Sequence, residues 1–450
     1  MSGLDAALAK MRAEGLGEAA LESFAHYYEQ LRAGASGMLR EGDLEPVAEL
    51  PALDDLPEDP DAPLDQAIVL KLNGGLGTSM GMTRAKSLLE VKDGLSFLDV
   101  IARQVLGLRA RTGARLPLVL MNSFATRADS LAALRSYPEL EADVPLDFLQ
   151  NRVPKLLADT LEPVSWPADP ELEWAPPGHG DLYVALRTSG MLEALLDRGY
   201  RYAFVSNSDN LGAVLEPRVL GWMAREQIPF VMEAAARTPA DRKGGHLARR
   251  RDGGGLVLRE SAQTAPQDAE AFQDVSRHRF FNANTLWVDL RGVADALDAR
   301  GALGLPMIVN RKTVDPTDPA SPAVIQLETA MGAAIDVFEG ARAIRVPRSR
   351  FVPVKTTNDL LVLRSDCYRL ADDARMELVS GPPLVDLDAR YYKLLADFDA
   401  RFQAGAPSLV ECERLVVAGD VTFGAGVVVR GDVRLQGPAR IAAGAEIESR

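Results

Sequence analysis

Cysteine is scarce in this chain. There are two, Cys367 and Cys412, in 450 residues, and no CxxC spacing. A disulfide framework and a structural zinc site are both excluded, and two reduced, partly buried thiols are expected. Histidine is nearly as rare: His26, His179, His246 and His278, with no His-x-x-x-His pair to signal zinc. No run approaches the ~18 apolar residues of a membrane span. The N-terminal "MSGLDAALAKMRAEGLGEAA" has helical periodicity but no basic start followed by an apolar core, so no signal peptide is expected. The chain therefore reads as cytoplasmic. A basic excess is missing too: 50 Lys and Arg stand against 64 Asp and Glu, a net charge of −14. Such a chain is a poor partner for nucleic acid or an anionic membrane, although a few placed lysines and backbone amides suffice for a small anion.

What remains is ordinary for a soluble globular chain, with 47% hydrophobic and 25% charged residues. The length suggests about three domains, or one large domain with appendages. Residues 4–33 carry apolar positions at helical spacing. "DDLPEDPDAPLD", 54–65, is acidic with three prolines and reads as a linker. Beyond it, strand-like runs alternate with helical ones. "AIVLKL", "LPLVLMN" (116–122), "YRYAFVSNSDN" (200–210) and "IPFVMEAAA" read as buried strands, "RADSLAALRSY" and "LYVALRTSGMLEALLDRG" as helices. This alternation predicts a mainly parallel sheet with helices on both faces, and ligands at the carboxyl ends of its strands. The tail changes period. From Leu415 it divides into hexads, LVVAGD, VTFGAG, VVVRGD, VRLQGP, ARIAAG and AEIESR, whose first and third places are almost all apolar. A hexapeptide period marks a short parallel β-helix of about two coils, with a plain β-meander as the other reading.

Five stretches carry chemistry. "AIVLKLNGGLGTSMG", 67–81, puts a glycine burst after a strand, either a tight turn or a loop whose amides approach anionic oxygens. It fits neither Gly-x-Gly-x-x-Gly nor a P-loop ending in Gly-Lys-Ser/Thr. Lys86, one loop later, is either a solvated lysine or a mobile point charge for a polyphosphate. In "EWAPPGHGDLY", 173–183, prolines and glycines hold His179 in a turn suited to a sugar hydroxyl or phosphate, or to packing alone. In "FVSNSDNLGA", Asp209 follows a buried strand, as a Mg²⁺ ligand or a helix cap. "RFFNANTLWVDL" offers Asn282 and Asn284, whose amides match sugar hydroxyls. "VPRSRFVPVKTTNDLLVL", 346–363, brings Arg348, Arg350 and Lys355 in what reads as a strand-rich context, so an anion contact is expected.

Together and in this order, these stretches resemble the eukaryotic-type UTP–glucose-1-phosphate uridylyltransferases. The likeness runs from about residue 66 to the C-terminus and includes "VIQLETAMGAAI", "ARYYKLL" and "PSLVECERLVVAGDVTFG". It implies an α/β fold: a doubly wound nucleotide-diphospho-sugar transferase core, a helical N-terminal region and a short C-terminal left-handed parallel β-helix. The expected boundaries are 1–65 for the helical region and linker, 66–385 for the catalytic domain, and 386–450 for a helix plus the β-helix. The resemblance implies that Leu72, Asn73, Gly74 and Gly75 contact the nucleotide, with Gly74 and Gly75 also by the sugar phosphate. Lys86 meets the UTP phosphates, and Gln150 reads uracil. Gly178 approaches uridine, and His179 the glucose 1-phosphate. Asn207 and Asp209 lie at the junction of the two substrates, with Asp209 on Mg²⁺. Asn284 contacts glucose, and Lys355 the phosphates. The chain departs from the family in having Arg84-Ala85-Lys86 for Gly-Pro-Lys, and Thr285 for a second asparagine. It also has a longer, proline-rich loop, "KTVDPTDPASPAVIQ".

The implied reaction is a Mg²⁺-assisted uridylyl transfer from UTP to glucose 1-phosphate, with Lys86, Lys355 and Asp209 carrying the catalysis. UDP-N-acetylglucosamine or broad UDP-sugar pyrophosphorylase activity is the nearer alternative. Asn73 and Leu76 side with glucose, because that relative begins its loop Leu-Ala-Gly-Gly-Gln-Gly-Thr. A non-catalytic sugar-nucleotide sensor is the more distant alternative, and the retained charges argue against it. The open end of a short solenoid also suggests a homo-oligomer.

Overall fold

The computed structural model describes residues 2–448. Its centre is a ten-stranded sheet. Four strands lie parallel in the spatial order Tyr202–Asn207, Ala67–Asn73, Leu118–Asn122, Asp147–Leu149. Their runs of apolar residues suit burial on both faces. Along Ala67–Asn73 the side chains alternate. Ala67 and Val69 enter one core with residues of the Phe97–Thr112 and Pro217–Arg225 helices. Ile68 and Leu70 enter a second with Leu182–Thr188, Met191–Asp197 and Leu290–Arg300. Helices therefore cover both faces of the sheet.

The sheet is mixed, and the expectation of a mainly parallel one is corrected. Phe280–Asp289 runs antiparallel both to Tyr202–Asn207 and, on its other edge, to Phe230–Ala236. A parallel return needs a crossover helix. Between Phe230–Ala236 and Phe280–Asp289 the chain instead makes the antiparallel pair His246–Arg250 and Leu256–Arg259, and its one α-helix there, Ala269–Gln273, is five residues long. The helix expected through 182–199 is broken at Gly190, which takes φ 73°. The stretch 346–363 is not strand-rich. It holds a short 3-10 turn, Arg348–Arg350, and the helix Thr357–Arg364, capped reciprocally by Thr356 and Asp359.

At the N-terminus, Gly3–Ala13 and Glu18–Arg32 bury Met11, Leu21, Phe24 and Tyr28 against Ile325 and Leu327. Those two residues belong to a small sheet of Leu156–Leu157, Met307–Thr313 and Ala323–Thr329. The acidic linker holds two short 3-10 turns, Leu53–Asp55 and Leu64–Gln66. In the tail, Leu415 faces Val433, Val421 faces Ala439 and Val428 faces Glu446, all in parallel, each partner eighteen residues or three hexads further on. Parallel pairing at that interval excludes the β-meander, whose neighbours are antiparallel. Leu415, Val417, Val421, Phe423, Val427 and Val429 are buried, whereas Leu435, Ile441 and Ile447 are partly uncovered. Ser449 and Arg450, which close the last hexad, lie outside the described residues. Cys367 and Cys412 are free and buried, as expected.

Candidate functional site

The carboxyl edge of the parallel strands forms a continuous row. Leu149 faces Asn122, Asn122 faces Asn73, and Leu72 faces Asn207. Ser206 faces Thr285 on the next strand, which sets Asn284 beside Asn207. Strand register alone thus brings Gln150, Leu72, Asn73, Asn207 and Asn284 to one edge, although 212 residue numbers separate Leu72 from Asn284.

The glycine turn follows from that edge. Asn73 is buried, and its amide donates to Asn122 Oδ1 and to Ser130 Oγ, both at 2.7 Å. Its side chain thus fixes the strand end, leaving the backbone to face outward. Gly74 accepts from Ser123 Oγ at 3.0 Å, and a Cβ there would lie 2.7 Å from Gln150 Oε1. The absence of a side chain lets Gln150 close over the turn. At Gly75 a Cβ would meet nothing within 4 Å, so that face is open.

Lys86 is positioned by its own N–H, which donates to the Gly75 carbonyl at 2.9 Å. Its ammonium reaches Asp209 Oδ2 at 2.6 Å. Ala85 replaces a family proline but sits at φ −51°, close to proline's fixed value, so the turn before Lys86 keeps its course. Asp209 lies in the turn after Tyr202–Asn207, and its carbonyl accepts from the Val354 N–H at 3.4 Å. Asn210 secures the same segment, donating to the Arg350 carbonyl at 3.1 Å and accepting from the Val352 N–H at 2.9 Å. Lys355 therefore lies one residue beyond the Asp209 contact, on an exposed stretch whose N–H donates to Asp359. Its charge opposes the burial that pushes the Glu260 carboxyl up.

Arg348 and Arg350, expected to contact an anion with Lys355, do otherwise. Arg350 is buried and donates to both Glu233 oxygens, at 2.6 and 2.8 Å, while Arg348 pairs with Asp241 at 2.8 Å. A buried guanidinium needs a buried carboxylate, and Glu233 on the central sheet supplies it.

His179 approaches from the other side. Gly178 precedes it at φ +78°, and a Cβ there would sit 2.4 Å from the Thr329 carbonyl oxygen, so only glycine fits. The Met331 N–H donates to His179 Nδ1 at 3.0 Å. That bond requires Nδ1 to be unprotonated and puts the proton of the neutral ring on Nε2. Burial pushes the imidazole down to about 4, so the ring is neutral near pH 7. Nε2 has no protein partner among the described residues.

Asn284 sits in a β-bulge. Glu233 faces Thr285 while Ala234 faces Asn282, leaving Ala283 and Asn284 without opposite partners. Its φ is +52°, a left-handed conformation that asparagine tolerates. The Asn284 N–H donates to Asn282 Oδ1 at 2.9 Å, and Asn282 Nδ2 donates back to Asn284 Oδ1 at 2.8 Å. A Cβ on Gly332 would lie 2.7 Å from Asn282 Nδ2, so the Met331–Gly332 turn abuts both the His179 and the Asn284 supports.

Sequence reasoning missed the supports. Asp181 accepts from Asn151 N–H at 2.6 Å and Nδ2 at 2.8 Å, tying the Gln150 loop to the His179 turn. Burial raises its carboxyl to about 6, against the pull of those two hydrogen bonds. Asp181 and Asn210 both lie within the quoted motifs, so proximity to the named residues was the available signal. Met331 acts through its backbone, for which a sequence carries none.

The family model described as UTP–glucose-1-phosphate uridylyltransferase matches residues 21–430. A UTP–glucose-1-phosphate uridylyltransferase of Hordeum vulgare is 41% identical over 395 residues, 86% of this chain and 81% of that protein. A probable enzyme of that name from Schizosaccharomyces pombe is 40% identical over 82% of this chain and 73% of its own. Among solved structures, the UDP-glucose pyrophosphorylase of Leishmania major, described in open and closed forms, superposes with a TM-score of 0.93 at 47% identity, covering 100% of this chain and 98% of that one. A substituted form of the Leishmania major enzyme in complex with UDP-glucose gives a TM-score of 0.93 at 46% identity, covering 100% and 99%.

Proposed function

The chain belongs to the UTP–glucose-1-phosphate uridylyltransferase family, and from that premise we infer that it transfers the uridylyl group of UTP to glucose 1-phosphate, releasing pyrophosphate. The observation that carries this reading at the level of geometry is the meeting of Lys86 and Asp209 beside an open glycine turn at the carboxyl edge of the sheet. A phosphate oxygen of glucose 1-phosphate forms the new bond to the α-phosphorus of UTP. The bond from that phosphorus to the oxygen bridging it to the β-phosphorus breaks. The attacking oxygen is already anionic near neutral pH, so no general base is needed, and positioning and electrostatics dominate.

The roles follow from the placements. The amides of Leu72 to Gly75 and the Gln150 side chain form the nucleotide wall, with Gln150 reading uracil and Gly178 closing over the uridine. Lys86 exchanges its Asp209 partner for substrate phosphate, and Lys355 approaches from the segment tied to Asp209. Neutral His179 offers Nε2–H to a sugar-phosphate oxygen. Asn207 and Asn284, side by side, hold the sugar. Mg²⁺ is the expected cofactor, and the residues fit it. Asp209 Oδ1 has no protein partner, and no group of three or more His, Cys, Asp or Glu suited to a metal occurs among the described residues. One carboxylate plus substrate oxygens and water is a common Mg²⁺ arrangement. When bound, the ion would offset charge on the phosphoryl oxygens.

We divide the chain at 65/66 and 385/386. The eighteen-residue parallel interval supports reading the tail as a left-handed β-helix. Its partly uncovered Ile441 and Ile447 support self-association there. A sedimentation comparison with a chain stopped before Leu415 tests this, and equal association states would refute it. No helix among the described residues is long and apolar enough to cross a membrane; the cytoplasmic setting is part of the proposal. The reaction is tested with UTP and a panel of sugar 1-phosphates, read by pyrophosphate release. Glucose 1-phosphate is expected to lead, and a clear preference for N-acetylglucosamine 1-phosphate would overturn the sugar assignment.

A further inference from the structure

The proposed reaction uses the outward end of the Ala67–Asn73 strand and leaves Lys71 unexplained. Lys71 is 1% exposed, on the same face of the sheet as Val69. It lines a cavity of about 370 Å³ between the sheet and the Phe97–Thr112 helix. That is the size of a small-ligand pocket. Val69, Val105, Leu108, Leu116 and Phe204 supply apolar walls. Arg111, Arg218 and Arg375 also line it, with Glu58 and Glu216, giving four cations to two carboxylates in a chain of net charge −14.

The four cations are not equivalent. Arg111 and Arg375 pair with Asp373, and Arg218 with Glu216. Lys71 alone has no carboxylate within ion-pair distance among the described residues. Its ammonium donates to Ser206 Oγ at 2.6 Å and the Ala213 carbonyl at 2.9 Å. The nearby buried carboxylate, Glu233, is already taken by both nitrogens of Arg350. The charged form of Lys71 thus stands near a buried guanidinium with no anion of its own, which is costly unless a further anion arrives. Burial and the neighbouring Arg350 push the Lys71 ammonium down to about 7, against the pull of Glu233.

We propose that this cavity is an effector site for a small amphipathic anion, whose acidic group pairs with Lys71 while its apolar body lies against Val105 and Leu108. The route to the reaction centre is short. Ser206 and Ala213, both held by Lys71, stand on either side of the turn that carries Asp209 and Asn210. An anion that drew Lys71 toward the cavity would loosen both ends of that turn. The effector half of the proposal rests on the role assigned to Asp209; the binding half does not.

The probe is 8-anilinonaphthalene-1-sulfonate, an aromatic sulfonate whose fluorescence reports binding without reference to turnover. In the wild-type chain it should bind with UTP present at saturation. Octanoate should displace it, and inorganic phosphate at the same concentration should not. Lys71→Met should weaken it about tenfold or more, as expected for loss of a charge-assisted contact. Leu108→Trp, which narrows the cavity and keeps the lysine, should weaken it comparably and serves if Lys71→Met fails to fold. Turnover at subsaturating UTP should change on adding octanoate in the wild type and not in Leu108→Trp. Displacement by UTP or by inorganic phosphate, or unchanged affinity in Leu108→Trp, would overturn the site. Binding with unaltered turnover would overturn its effector role, whereas near-normal turnover in Asp209→Asn with probe binding retained would strike the reading of Asp209 and leave the binding site standing.

Discussion

Two ion pairs lie close together in this molecule and have the same separation. Lys86 meets Asp209 at 2.6 Å at the carboxyl edge of the sheet, and Arg350 meets Glu233 at 2.6 Å in the layer beneath. Distance does not distinguish them; saturation and burial do. The Glu233 carboxylate also accepts from Trp287 Nε1, and Arg350 also donates to the Val214 carbonyl, with side-chain exposures of 0% for Glu233 and 8% for Arg350. Lys86 and Asp209 are 17% and 20% exposed, and their side chains make one hydrogen bond among the described residues, to each other. A charge with spare bonding capacity and an open side can change partners during a reaction. A charge whose bonds are all made inside the protein can only hold position. Basic residues five apart in sequence, Arg350 and Lys355, divide between the two classes in the same way.

The sharpest test removes the buried anion. Glu233→Gln leaves the buried Arg350 guanidinium without its paired carboxylate and should cost about 3–5 kcal/mol of stability. Urea unfolding measures it, and a loss below ~1 kcal/mol would erase the contrast. Next, Lys86→Ala and Lys355→Ala should each lower turnover by about 10²-fold or more, the scale for removing a donor from developing oxyanion charge. Stability should move by no more than about 1 kcal/mol, as for solvated pairs. Near-normal turnover in either variant would exclude that lysine from the centre.

A third test uses pH. The folded His179 value, about 4, lies below its ordinary 6.5, so the unfolded chain takes up that proton first as pH falls. The His179 contribution to stability should be unaffected above pH 6.5 and decline from there toward 4. His179→Asn should flatten part of that slope. His246 and His278, also held down by burial, add to the slope with the same sign, while Asp181, held up by burial, opposes it. An unchanged acid slope in the variant would show that His179 is protonated freely in the fold. The smallest effect is expected from Ala85→Pro. At φ −51° the ring should fit and add up to about 1 kcal/mol of thermal stability with unchanged turnover.

Much of the site was legible because its motifs are local. The glycine turn after a strand, the Gly-His-Gly turn and the polar strand ends each needed only adjacent residues. The tail's hexads predicted their own parallel stacking. The fate of Arg350 was not legible, since "VPRSRFVPVK" gives no sign that Glu233, over one hundred residues earlier, will bury one arginine and leave the lysine free. The mixed sheet was missed for a related reason. A strand's direction depends on how the chain returns to it, and the Phe280–Asp289 run looks the same read either way.

By itself, then, the amino-acid order determined what short-range sterics and periodicity control: which runs become strands, where glycine frees the backbone, and which tail positions turn inward. Only the tertiary structure decided which charges would meet. Lys86 finds Asp209 across 123 positions, and Met331 sets the proton on His179 across 152. Such pairings depend on closing long loops onto a common sheet edge. They leave no local trace, because the free energy that selects them is gained only when the whole core is buried.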